Sequence, residues 1–270
     1  MKVFFNFDEA KKHIKSGAFL FAYRRMLFPI WWNLTGGADW VIFTPGRCRR
    51  EKPMPVFQRS SYATDLSCNV VCLFDPTLLV NRGLTLSWFV GDRFSHFADL
   101  AGIMVEQLRV EFGAKAENFL CYGTSGGGIP AIKIASHLGG SSVYVSNAQT
   151  DVRRYMKSAY NAMLASCFPR QDIAQIENTY AERFSCLNWD GRFNLYMSQN
   201  LADEHHFVQH FMPYVRNARM ASTERQCAFS TYQDPDSGHD VLSRNIELDV
   251  INSILSGRSP WASLPRATVQ

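Results

Sequence analysis

Asn118-Phe119-Leu120-Cys121-Tyr122-Gly123-Thr124-Ser125-Gly126-Gly127-Gly128-Ile129-Pro130 is the stretch on which the fold turns. The segment up to Tyr122 is a short apolar run of strand-forming residues. Beyond the glycines, Ile129, Ala131, Ile132, Ala135 and Leu138 mark one face of a helix that stops at Gly139-Gly140, with Pro130 in its first turn, where a missing N–H costs little. Gly-x-Ser-x-Gly between a strand and a helix has a steric logic. A sharp turn forces Ser125 into a strained backbone conformation, and side chains at positions 123 and 127 would clash. The hydroxyl of Ser125 is thereby lifted clear of the sheet, beside the unpaired N–H groups of a helix start.

Working outward, the same alternation repeats. Trp40–Thr44 and Asn69–Phe74 read as buried strands ending at Pro45-Gly46 and Asp75-Pro76, and 97–112 reads as a helix stopped by Gly113. Ser142–Ser146, Phe193–Ser198 and Cys227–Tyr232 are further strands, and Val241–Leu255 is a closing helix. The first 35 residues read only as leading strands or packing segments. Short apolar strands separated by helices predict an α/β protein with a mostly parallel central sheet covered on both faces. With a nucleophile elbow, that is the α/β-hydrolase fold, here as a single domain over 1–270. The mainly helical stretch 151–190, between the sixth and seventh strands, is expected to form a cap-like insertion.

A serine hydroxyl needs a base to take its proton and a carboxylate to orient that base. In this fold they follow the nucleophile in the order acid, then histidine. His239 follows the last strand in Asp234-Pro235-Asp236-Ser237-Gly238-His239, and Asp203 follows the preceding strand, with Glu204, Asp234 and Asp236 as rival acids. The catalytic set expected is therefore Ser125, Asp203 and His239. The oxyanion hole is assigned to the N–H of Gly126 and that of Gly46 or Arg47, in the loop after the Trp40–Thr44 strand. Arg47, Arg49 and Arg50 stand near the same mouth as candidate holders of a substrate phosphate or carboxylate, or as an ordinary solvated turn.

Other chemistries fit less well. A phosphate-binding loop of the Walker type needs Lys then Ser or Thr at the helix start, where Gly128-Ile129-Pro130 stand and Lys133 comes too late. Asp203, His205, His206 and His210 could approach a metal, but no Glu follows His206 as in H-E-x-x-H. Seven scattered cysteines, an odd number, suit reduced thiols, and Cys68 and Cys72 read as core residues of a strand rather than zinc ligands. No metal is expected. A net charge of +4 gives no case for nucleic acid, no apolar run suffices for a membrane span, and no secretory signal is visible at the N-terminus. The oligomeric state is not legible.

Five phrases carry a resemblance: Met54-Pro55-Val56-Phe57-Gln58-Arg59, Phe74-Asp75-Pro76-Thr77-Leu78, Leu86-Ser87-Trp88-Phe89-Val90-Gly91, Gly123 to Gly128, and Ser146-Asn147-Ala148-Gln149-Thr150-Asp151. Over roughly residues 40–256 the chain resembles a bacterial group of α/β-hydrolase-like proteins linked to capsule and other surface glycans, some of them O-acetyltransferases. The resemblance implies a cytoplasmic enzyme acting on a sugar hydroxyl or its acetyl ester, with Ser125, Asp203 and His239 at the triad positions. Trp88 joins the arginines as a candidate substrate contact. No bound cofactor is expected; acetyl-coenzyme A is the natural donor for transfer. A carboxylesterase acting on a small ester is the enzymatic alternative, and a non-catalytic binding protein the other.

Overall fold

The computed structural model describes residues 1–188, 191–218 and 226–265. Its strands are β1 (Val3–Phe4), β2 (Ser16–Tyr23), β3 (Met26–Asn33), β4 (Trp40–Thr44), β5 (Asn69–Leu73), β6 (Phe119–Thr124), β7 (Ser142–Ser146), β8 (Asn194–Asn200) and β9 (Cys227–Tyr232). They form one sheet in the order β1-β2-β3-β5-β4-β6-β7-β8-β9. From β5 to β9 every pairing is parallel, whereas β2, β3 and β5 pair antiparallel in turn. The leading segment thus contributes a hairpin, together with a short helix, Phe7–His13, that its composition did not announce.

Strands β4, β5 and β6 are buried along their whole length, and the pleat divides their side chains between two cores. In β4, Trp40 and Ile42 join the layer of the helices Phe97–Glu111 and Gly128–His137, while Val41 and Phe43 face the closing helix Arg244–Leu255 with Val250 and Ile251. The helix from Phe97 ends at Gly113, whose φ of 61° is the left-handed geometry expected of a stop residue.

Helices Lys157–Cys167, Ile173–Thr179 and Ala181–Phe184 lie between β7 and β8. Those are the seventh and eighth strands rather than the sixth and seventh, because the two-residue β1 adds one to the count. Asp190, the expected end of this stretch, lies outside the described residues. Cys68 and Cys72 are buried in the core; burial pushes the Cys68 thiol up to about 12 and raises that of Cys72 as well, disfavouring the thiolates a metal requires.

On the closing-helix face, Glu247 is fully buried and accepts from Arg59 Nε at 2.9 Å, Arg59 Nη2 at 2.7 Å and Tyr62 Oη at 2.6 Å. Arg59 also donates to Thr124 Oγ1 at 2.9 Å, tying the closing helix to the residue before Ser125. Removing one partner of a buried pair strands the other. We expect Glu247→Leu to lower unfolding free energy by about 3–5 kcal/mol, and the double variant Arg59→Met/Glu247→Leu to recover most of that loss. Urea denaturation of the three proteins checks this, and equal losses in single and double variants would contradict it.

Candidate active site

The elbow is built by close approach. Ser125 has φ 52°, a left-handed conformation that a non-glycine residue adopts only under constraint. A Cβ on Gly123 would lie 2.2 Å from the carbonyl oxygen of Gly127, and one on Gly127 would lie 2.6 Å from that of Thr44. The loop after β4 packs directly alongside, with a Cβ on Gly46 falling 3.7 Å from Ser125 Cβ.

The structure brings Ser125, His239 and Asp203 into one hydrogen-bonded line. Ser125 Oγ is 2.8 Å from His239 Nε2, and His239 Nδ1 is 2.6 Å from Asp203 Oδ2. Two buried asparagines hold the loops that carry them. Asn200, at the end of β8, donates to the carbonyls of Asp234 and Gly238 at 2.8 Å each and accepts from the Asp234 N–H at 2.9 Å. Asn147 donates to the Asp240 carbonyl at 3.2 Å and accepts from the Asn200 N–H at 2.8 Å. Glu204 and Asp236 are exposed, and the Asp234 carboxylate turns back to the Ser237 N–H at 3.3 Å, so among the rivals it is Asp203 that reaches His239.

Asp203 serves two histidines. Its Oδ2 also lies 2.9 Å from His206 Nδ1, and its Oδ1 accepts the His206 backbone N–H at 3.2 Å as a helix cap. The His206 ring stacks on that of His239, centroids 3.9 Å apart. Burial opposes ionisation of Asp203, but the hydrogen bonds from His206 and His239 outweigh it and hold the carboxyl well below the usual range. Burial in turn pushes His206 down, against the pull of Asp203, which favours the neutral ring. Asp203, His206 and His239 converge as metal ligands would. However, the 2.6 Å contact is a hydrogen bond, whereas ligands on one tetrahedral ion with bonds near 2.0 Å sit about 3.3 Å apart.

Several expected positions are corrected. The N–H of Gly46 is taken by Gln58 Oε1 at 3.0 Å, while Gln58 Nε2 donates to the Arg47 carbonyl at 3.0 Å. Gly46 therefore serves close packing, which leaves Arg47 as the expected partner of Gly126. Arg50 is withdrawn from the mouth, because its Nη2 donates to the carbonyls of Leu78 and Asn81 at 2.7 Å and its Nε to that of Leu84 at 2.9 Å. Arg47 and Arg49 are exposed. Trp88 is 1% exposed and so offers no open face to a substrate.

Instead, Trp88 Nε1 donates to Gln149 Oε1, and Gln149 Nε2 lies 3.3 Å from Ser125 Oγ. Trp88 and Phe89 both have left-handed backbones, at φ 51° and 55°, held by buried Asp75, which accepts from Ser87 Oγ at 2.6 Å and the Phe89 N–H at 2.7 Å. Burial raises the Asp75 carboxyl, with those donors acting against it. Gln58 and Gln149 were not singled out as site residues from the sequence, though both sit inside the phrases quoted above, which was the available signal; His206 entered that reading only among candidate metal ligands.

No protein-family model matches the chain, and no curated protein matches its sequence. Solved structures match its shape. The capsule O-acetyltransferase of Neisseria meningitidis serogroup A superposes with a TM-score of 0.63 at 11% identity, covering 85% of this chain and 91% of that one. A histidine-to-alanine mutant of that enzyme in complex with CoA gives 0.65 at 10% identity, over 88% and 94% of the two chains. Acetyl xylan esterase 1 from Thermoanaerobacterium sp. JW/SL YS485 gives 0.57 at 14% identity, over 88% and 82%. This is the α/β-hydrolase fold. None of the helices in the described residues is long and apolar enough to cross a membrane.

Two buried histidines make folding sensitive to acid. Burial, aided by Lys133 and Arg183, pushes His96 down to about 3, and burial, aided by His206 and His205, pushes His210 down to about 3. The unfolded chain takes up these protons near pH 6.5, whereas the folded protein resists until about 3. Their stability contribution is therefore full above about pH 6.5 and drains as pH falls toward 3, at up to about 1.4 kcal/mol per pH unit for each. His210→Gln should flatten the fall in denaturation midpoint between about pH 7 and pH 5; an unchanged slope would show that His210 carries none of it.

Proposed function

We propose that this protein transfers an acyl group through a covalent intermediate on Ser125, and that the group is acetyl, passed from a thioester such as acetyl-coenzyme A to a hydroxyl of a bacterial surface or capsular polysaccharide. The observation that carries this reading is the line from Ser125 Oγ through His239 to Asp203, mounted on a strained elbow at a helix start. The similarity in shape to the Neisseria capsule enzyme, including its complex with CoA, supports the choice of donor and acceptor.

In this mechanism Ser125 Oγ attacks the thioester carbonyl as its proton passes to His239 Nε2. Asp203, held ionised, supports the imidazolium that forms. The N–H groups of Gly126 and Arg47 receive the developing oxyanion. Collapse expels the thiolate, which takes the proton from His239, and leaves acetyl-Ser125. His239 then deprotonates the sugar hydroxyl, which attacks the ester and regenerates the serine. Arg47 and Arg49, exposed in the loop that begins at Gly46 beside Ser125, suit the phosphates of the donor. Water in place of the sugar gives an esterase, the reading favoured by the similarity to acetyl xylan esterase 1.

With acetyl-coenzyme A and de-O-acetylated capsular polysaccharide, thiol release should depend on the polysaccharide and yield its O-acetyl ester. Ser125→Ala should reduce this by at least about 10³-fold. Thiol release unaffected by the polysaccharide would make the protein an esterase, and full activity in Ser125→Ala would remove the serine from the chemistry.

A further inference from the structure

Ser125 Oγ has a second polar neighbour besides His239, and the orientation of that neighbour is fixed. Trp88 Nε1 is a donor with no acceptor capacity, so the oxygen of the Gln149 carboxamide must face it. The amide nitrogen then faces the serine at 3.3 Å. Gln149 is fully buried, and its own backbone N–H donates to the Ser125 carbonyl at 3.0 Å, so side chain and elbow cannot drift apart. The second hydrogen of Nε2 points toward His206 Nε2, 3.5 Å away.

His206 Nδ1 lies 2.9 Å from Asp203 Oδ2, and a proton there leaves Nε2 as an acceptor toward the second amide hydrogen. Gln149 donates to Ser125, Ser125 donates to His239, and His239 donates to Asp203.

Resting on the acyl-enzyme reading above, we infer that Gln149 is a catalytic residue whose side-chain N–H stabilises Ser125 Oγ as the leaving group when the acyl-enzyme breaks down. A hydrogen bond donated to Oγ withdraws electron density from it. That is of no help while Oγ attacks, but it favours the step in which Oγ departs. In that step the acceptor hydroxyl, of a sugar or of water, adds to the acetyl carbonyl as its proton moves to His239 Nε2. The tetrahedral intermediate then collapses by breaking the C–Oγ bond. The electron pair returns to Oγ, which recovers the proton from His239 and the hydrogen bond from Gln149, and the acetyl group leaves on the acceptor oxygen. Acylation by a thioester has a good leaving group already, whereas expulsion of a serine alkoxide does not, so the donor sits where the harder step needs it.

The test separates the two steps with para-nitrophenyl acetate, following the nitrophenolate burst for acylation, steady-state turnover for deacylation, and the acetyl adduct on Ser125 by peptide mass spectrometry. Gln149→Met keeps the length of the side chain and lacks the donor. It should change the burst rate by less than about threefold, lower steady-state turnover by about 10²-fold, the scale of one lost oxyanion donor, and accumulate acetyl-Ser125. Burst and turnover falling together, or turnover holding at the wild-type value, overturns the inference. Should Gln149→Met fail to fold by circular dichroism, Trp88→Phe removes the indole N–H that orients the amide, together with part of the buried ring, and the same selective loss is expected at about tenfold; an unselective loss or none there is likewise contrary. Failure of the underlying reading looks different. If wild-type protein forms no acetyl-Ser125, the acyl-enzyme falls and this inference with it; if it forms and Gln149→Met clears it as fast, this inference falls alone.

Discussion

Between Gly123 and Gly127 the chain doubles back so tightly that a β-carbon on the first would stand 2.2 Å from the carbonyl oxygen of the second. Two further glycines are closely packed by side chains: a Cβ on Gly126 would meet Leu86 at 2.5 Å, and one on Gly128 would meet Ala148 at 2.5 Å. Each contact faces a different partner, namely the elbow itself, the loop before Trp88, and the segment after β7. Four bare Cα atoms thus let three separate segments close on one serine. Every other arrangement at the site, including the reach of His239 and the placement of Gln149, presupposes that closure.

Around it the protein spends buried polarity to hold positions. Asp75 holds the backbone of 87–89 in place, Trp88 fixes the Gln149 amide, and Gln149 meets Ser125, so a carboxylate in the core is linked to the nucleophile through three residues. On the opposite face Glu247 and Arg59 reach Thr124, and at the strand ends Asn147 and Asn200 stitch the loops bearing Asp203 and His239. A buried polar group without a partner is costly, so each of these networks specifies one geometry more sharply than apolar packing would.

This division explains what the sequence could and could not reveal. The parallel strands and the elbow are written in local pattern: short apolar runs, glycines at set spacing, and a helical face at Ile129, Ala131 and Ile132. Ser125, Asp203 and His239 could be picked out because chain order places them at strand ends, and the structure brings them within hydrogen-bond reach. Roles that depend on who occupies a given hydrogen were not legible. Whether the Gly46 N–H is open depends on Gln58, whether the Arg50 guanidinium is free depends on carbonyls of Leu78, Asn81 and Leu84, and whether Trp88 faces substrate depends on Gln149. Those partners lie 12 to 61 residues away in sequence and follow no period. The first helix was missed for a different reason, since seven residues with Asn6 as cap and two acids at the start carry too little apolar pattern to register.

The stacking of His206 on His239 over one shared carboxylate has a mechanical consequence. Ring centroids 3.9 Å apart with planes inclined by 24° are in face-to-face contact, so the plane of one imidazole sets the plane of the other. The buried His206 ring fills the volume on one face of His239 and blocks any swing of the base in that direction away from Ser125.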